Sequence, residues 1–389
     1  MHDMNFALLI LTPVGAAWLA WTLNRLAIGP WRRAAQQHWT ERARRLYPVR
    51  TAAANNLWLI PACLVLAQQL WLPNAALPWP VTALAAWCGV LLGSYPFERL
   101  LFPWLRFRDW LHLATANGLL RLGFWALFVV AVIYMPPHIG WLTWTIAGVM
   151  LAIILLLNYG LGLWLARQLR LLQPPPERLQ RITDAVAGRM GIAYRRLWLL
   201  RHPTAVAAAW PTTGDLVFSE RVLPLLSDDE IAAIGAHELG HLAESRLTVF
   251  GRLAGSLALL PWLLVNPVLH RYESAGVGAL ALISLLILAA VTRLARRMEV
   301  RADRLGRAHQ AEGGVYANAL EKLYEANQLP AVMPGRRKAH PHLYDRLIAA
   351  GILPLYPRPK PARSLAWTGV VMVIVFILLL AGTLGAARH

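Results

Sequence analysis

The sequence predicts a mainly α, polytopic helical membrane protein of about eight spans that carries a small α+β domain. Three observations predict it. Of 389 residues, 57% are hydrophobic and only 15% charged, and the apolar residues gather into runs that can cross roughly 30 Å of hydrocarbon. Loops rich in arginine alternate with loops that have none. Between the fifth and sixth apolar runs the pattern changes to short alternating stretches and one capped amphipathic helix.

The runs fall at about 5–24, 53–72, 79–96, 119–137, 141–166, 248–268, 275–293 and 365–386. The third has Pro78, Pro80 and Pro96 at its edges, and Pro261 and Pro267 predict a kink or an early end in the sixth. They imply an N-terminal membrane domain of about five spans over 1–173, then a soluble segment over 174–247. A two-span hairpin over 248–293, a second soluble segment over 294–363 and a final span over 364–389 complete the chain. Pro174-Pro175-Pro176 reads as a stiff linker and Leu353 to Arg363 as a proline-rich basic tether. The segment from Glu98 to Asn117, mixing aromatic residues with arginines, fits either an interfacial helix or an ordinary connection.

A net charge of +18 invites a nucleic-acid reading, which the placement of the charge excludes. Arg25, Arg32, Arg33, Arg42, Arg44, Arg45 and Arg50 fill the first loop, and Arg99, Arg106 and Arg108 the third. Arg167, Arg170 and Arg178 follow the fifth span, and Arg293, Arg296 and Arg297 the seventh. The loops around Pro73 to Trp79 and Pro136 to Ile139 carry no Lys or Arg. That is the positive-inside pattern, and it predicts both termini outside and the soluble domain at the cytoplasmic face of a bacterial-type inner membrane. Anionic lipid is the partner expected of the basic surplus. Cys63 and Cys88 both fall inside spans and imply no disulfide. The first run lacks a basic leader and reads as a retained span.

Within the soluble segment the pattern is helical from Glu177 to Met190, with Gly191 as its stop. Extended runs follow at 196–201, 204–210 and 216–219, the last two joined by the turn 211–215. Ser227 with Glu230 is a capping box that starts a helix near Asp228. Beyond the seventh span, Arg293 to Tyr324 and Asp345 to Ala350 read as helical.

The capped helix carries His237-Glu238-Leu239-Gly240-His241. With twelve His and twelve Glu in the chain, chance supplies such a motif roughly 0.01 times. Two histidines four apart lie on one helical face and can share a zinc ion. Glu238 then sits beside the open position, as general base for a water whose pKa zinc lowers from 15.7 to about 7. Such a site needs a third protein ligand. Glu244 lies too far along the same straight helix, because His237, His241 and Glu244 would form a line about 10 Å long. Glu299 and Asp303 share a face of a later helix. By spacing alone they serve equally as ligand and second-sphere acceptor or as a solvated acidic face paired with Arg296, Arg297, Arg301 and Arg304.

The HELGH motif, Glu299-x-x-x-Asp303 beyond a hydrophobic hairpin, and His340-Pro341 with Arg346 together resemble the integral-membrane gluzincin peptidases. That family includes the type I CAAX prenyl proteases and the HtpX heat-shock proteases. The resemblance covers about residues 175–350 and implies a zincin-like catalytic domain with one Zn2+ per chain on His237, His241 and Glu299. It further implies Glu238 as general base, Asp303 in the second sphere, and His340 and Arg346 as oxyanion or substrate-positioning groups. His340 also fits a surface histidine beside His342. An edge strand over Val206, Ala207 and Ala208 is expected to hold an extended substrate, although the family's asparagine is absent from Ala205 to Trp210. The expected activity is a zinc metalloendopeptidase acting on membrane or membrane-proximal polypeptides. A prenyl-peptide-specific protease and a catalytically silent, metal-stabilised membrane scaffold or receptor are the alternatives.

Overall fold

The computed structural model describes residues 2–73, 77–335 and 341–386. Two compact units are present: one comprises 1–110, 327–335 and 355–389, the other 111–326 and 336–354. The division at Trp110 and Leu111 differs from the expected one at the proline run.

In the first unit, helices His2–Ala27, Trp39–Trp71, Trp79–Leu101 and Trp367–Ala386 pack around Ala16, Ala20, Ile60, Ala86 and Val90. The first and third run parallel in close contact, because glycine removes the side chain where their backbones meet. A Cβ on Gly89 would stand 2.1 Å from the Pro13 carbonyl oxygen, and one on Gly93 the same distance from that of Ala17. Buried Gln68 bridges the helices, donating to Thr12 Oγ1 at 3.1 Å and accepting from Thr82 Oγ1 at 2.9 Å. Much of the expected first basic loop is helical, since the second span already begins at Trp39.

The second unit holds helical runs Phe107–Ile133, Trp141–Gln168 and Arg246–Ala308, the first of them beginning in the other unit, and the soluble elements between and after them. Among the described residues six helices are long and apolar enough to cross a membrane, and Trp367–Thr383 is a shorter apolar one. The expected count of about eight differs for two reasons: that last helix is short, and the sixth and seventh runs merge. The merged run nevertheless doubles back. It passes through a 3-10 turn at Leu260–Leu264, where Pro261 interrupts α-helical bonding, and reverses at Glu273, whose φ of 51° is left-handed. The two arms touch where side chains are small: a Cβ on Gly255 would meet Val291 Cγ1 at 2.7 Å.

Among the described residues four strands form one sheet: β1 (Leu172–Gln173), β2 (Arg196–Leu200), β3 (Ala207–Trp210) and β4 (Asp215–Ser219). Their order is β1-β2-β4-β3, with β2 and β4 parallel and the outer pairs antiparallel. β1 is too short to leave an alternation in sequence. Gly214, with φ of 73°, closes the β3–β4 turn through its N–H to the Trp210 carbonyl at 2.8 Å. Helix Glu177–Met190 ends on left-handed Gly191, as its sequence requires.

Candidate metal centre

Helix Asp228–Leu242 presents the motif because its first turn is fully capped. Ser227 Oγ accepts from the Glu230 N–H at 3.3 Å, and the Glu230 carboxylate accepts from the Ser227 N–H at 2.9 Å. Lys322 Nζ holds the same carboxylate at 2.7 Å. Residues from Ile231 to His241 are buried with one partly exposed position, so the helix runs through the core with His237, Glu238 and His241 inside it.

The returning arm of the hairpin brings Glu299 to the two histidines. Its carboxylate oxygens lie 3.7 Å from His237 Nε2 and 3.6 Å from His241 Nε2, and the three residues offer donor atoms that all fall within 4.8 Å of one another. A tetrahedral ion with bonds of about 2.0–2.1 Å separates its ligand atoms by about 3.4 Å. The donor set therefore fits a metal ion of zinc's size and chemistry. Glu299 reaches the two histidines from a different helix, and Glu244 lies at the outer nitrogen of His241.

The outer nitrogens are held as well. His237 Nδ1 lies 2.8 Å from the Tyr316 hydroxyl and 3.2 Å from Asp303 Oδ1. Tyr316 donates to Asp303 at 2.7 Å, and Arg346 donates to both Asp303 oxygens at 3.0 and 2.5 Å and to the Tyr316 oxygen at 2.9 Å. Burial, with the Asp303 carboxylate beside it, raises the Tyr316 pKa well above its ordinary value, so the hydroxyl stays protonated. Burial works against the Arg346 charge, but the Asp303 carboxylate that it hydrogen-bonds outweighs it and raises its pKa. With the hydroxyl proton given to Asp303, the His237 Nδ1–H is a donor and the Nε2 lone pair faces Glu299.

His241 is supported differently. Its Nδ1 meets Glu244 Oε1 at 2.8 Å, and Arg252 Nε lies 3.6 Å from the other Glu244 oxygen. Burial lowers the His241 pKa, and the Glu244 hydrogen bond with the Glu238 and Glu299 carboxylates reverses that and raises it.

The structure thus brings together His237, Glu238, His241, Glu299 and Asp303. The Arg346 guanidinium is buried and engaged by Asp303 and Tyr316. His340 lies outside the described residues. Ala207 and Ala208 form the start of β3 at the sheet edge, packed on the motif helix, and Val206 extends the pairing through its carbonyl to the Ser219 N–H at 2.8 Å. Sequence reasoning missed Tyr316 and gave Glu244 no role. The Glu244 signal was available, since a carboxylate three residues after His241 reaches its outer nitrogen; Tyr316 carries no local signal, because its contacts with Asp303, Arg346 and His237 span 13, 30 and 79 residues.

Residues 175–351 match the model described as Peptidase family M48. The chain is 29% identical over 178 residues to a protein named Protease HtpX from Pseudomonas entomophila (strain L48), covering 37% of this chain and 60% of that one. Against Protease HtpX of Hahella chejuensis it is 32% identical over 146 residues, 33% and 50% of the two chains. The chain thus spans between half and three fifths of the length of these curated relatives. The helices and the donor set define a chain with helices long and apolar enough to cross a membrane and a buried His–His–carboxylate cluster that could hold a metal ion. This chain carries a peptidase family M48 domain over residues 175–351.

Proposed function

We propose that the protein is a zinc-dependent endopeptidase of a bacterial inner membrane, hydrolysing peptide bonds of membrane or membrane-proximal polypeptides at the cytoplasmic face. The observation that carries the reading is the convergence of His237 Nε2 and His241 Nε2 on the two Glu299 oxygens, with Glu238 buried in the same helix turn. The names of the relatives support a protease, and the arginine asymmetry supports the cytoplasmic face.

When bound, zinc supplies Lewis-acid polarisation of water and of the scissile carbonyl. The chain's own groups do the rest. Glu238 accepts the proton of the attacking water and delivers it to the departing amine nitrogen. Asp303, Tyr316 and Arg346 hold the His237 ring in one tautomer, and Glu244 does the same for His241. The open edge of β3 aligns an extended substrate through backbone hydrogen bonds, which needs no asparagine side chain.

The test is degradation of a membrane-protein panel by the zinc-loaded wild type against Glu238→Gln. Cleavage is expected to fall by at least about 100-fold with metal content retained. Equal cleavage by both proteins would refute the enzyme and leave a metal-stabilised scaffold. Cleavage confined to prenylated peptides would narrow it to a prenyl-peptide protease. Orientation is tested separately: a Gly214→Cys variant is expected to resist an impermeant thiol reagent added outside intact cells.

A further inference from the structure

Within the first unit, a cavity of about 210 Å³ opens between the end of the first helix and the end of the third. The two parallel helices touch at Gly89 and Gly93, and the space past Gly93 is lined by Trp21, Ile28 and Phe97. Into it the sequence places Asn24, Arg25 and Arg32, spaced by one and seven residues along the first helix and its short continuation Gly29–Arg33.

The chemistry of the lining is that of an anion site with a greasy wall. Neither Arg25 nor Arg32 has a carboxylate within 4.0 Å among the described residues, so no internal anion neutralises them. Asn24 is 4% exposed, yet its side-chain nitrogen has no hydrogen-bond partner. A buried amide donor left unmade costs about 1–3 kcal/mol, and an oxygen-rich anion in the cavity would satisfy it. The Arg25 guanidinium lies 5.1 Å from the Trp21 ring centroid, which fixes its plane and leaves its N–H edge available. The apolar lining continues into the exposed hydrophobic flank of the same helices, with Trp18, Leu92 and Leu100 uncovered. A free phosphate has no use for that flank, whereas an acyl chain does.

We propose that this cavity binds the phosphate-bearing headgroup of an anionic membrane phospholipid, with Arg25 and Arg32 on the phosphate, Asn24 donating to one of its oxygens, and the acyl chains along the apolar flank. The site shares no residue with the metal centre and is independent of the peptidase reading.

Native mass spectrometry of the full chain in detergent tests it, with phosphatidylglycerol offered against phosphatidylcholine. The wild type is expected to retain phosphatidylglycerol preferentially. Each arginine near an anionic surface is worth about a fivefold preference, so Arg25→Gln/Arg32→Gln is expected to lose about 30-fold. The control Arg106→Gln/Arg108→Gln, which removes two exposed charges outside the cavity, is expected to leave the preference intact. Leu100→Trp fills the cavity without changing charge and is expected to weaken retention as well, which guards against a double variant that fails to fold. Unchanged preference in the arginine pair, or equal loss in the control, would overturn the site. Displacement of the lipid by inorganic phosphate would overturn the lipid as its occupant.

Discussion

His237 and His241 come from one turn of one helix and face the same carboxylate, yet the regions behind them are built differently. Behind His237 stand Asp303, Tyr316 and Arg346, drawn from three separate helices, with the Arg346 side chain only 7% exposed. Behind His241 stands Glu244, three residues on, paired with an Arg252 that is 36% exposed. The first support is tertiary and dry; the second is local and wet at its outer end. Arg346 is buried and cannot turn to water when Asp303 is neutralised, whereas Arg252 is partly exposed and can, even though the Glu244 carboxylate itself is only 2% exposed. The same chemical change, carboxylate to amide, should therefore cost much more at Asp303 than at Glu244.

The largest effect is expected where both regions meet. Glu299→Gln removes the carboxylate that faces both histidines and should abolish stoichiometric zinc in metal analysis of the purified protein. Full occupancy in that variant would show that the two histidines are completed by some other group. Next come Arg346→Ala and Asp303→Asn. Each breaks the buried pair, and Arg346→Ala leaves a buried carboxylate uncompensated, at a cost of about 3–5 kcal/mol in denaturant unfolding. Asp303→Asn should also lower zinc affinity by about 10 to 100-fold. Combining Asp303→Asn with Arg346→Met removes both charges, so stability should partly return while zinc affinity should not. Recovery of both would mean that the network serves folding alone.

Tyr316→Phe is expected to fall between the two regions. It deletes one hydroxyl that accepts from Arg346, donates to Asp303 and contacts His237, leaving the rest of the cluster in place. A loss of about 1–3 kcal/mol in stability is expected, with a smaller drop in zinc affinity than in Asp303→Asn.

The contrast between the two supports also accounts for what the sequence disclosed. Features set within a few residues were legible: the Ser227–Glu230 cap, the left-handed stop at Gly191, the turn through Gly214, and the pairing of His237 with His241 on one face. Glu299 and Asp303 were legible as a shared face but undecided as ligand or surface charge, because a helix period says nothing of which helix packs opposite. Tyr316 was invisible for the same reason. The span count met a different limit: hydropathy separates two apolar runs within Arg246–Ala308, whereas continuous helical length merges them and leaves Trp367–Thr383 short. Arg346 was visible as a residue, while the direction of its guanidinium depends on a buried carboxylate 43 residues away.

The smallest effect is expected at Glu244, and it is the sharpest test of the comparison. Glu244→Gln keeps an oxygen that can accept from His241 Nδ1 and deletes only the charge, while Arg252 loses a partner at 3.6 Å and can turn outward to solvent. Zinc affinity should fall by about tenfold or less, at the low end of what loss of a second-sphere partner costs. The melting temperature should move less than in Asp303→Asn: the Glu244 side chain is only 2% exposed, but its Oε2 has no hydrogen-bond partner to lose and the freed Arg252 reaches solvent. Zinc titrations and thermal melts of Glu244→Gln beside Asp303→Asn measure both differences at once. Equal losses at the two positions would show that local and tertiary support are equivalent here, and that the depth of the Arg346 cluster has no bearing on how firmly the metal is held.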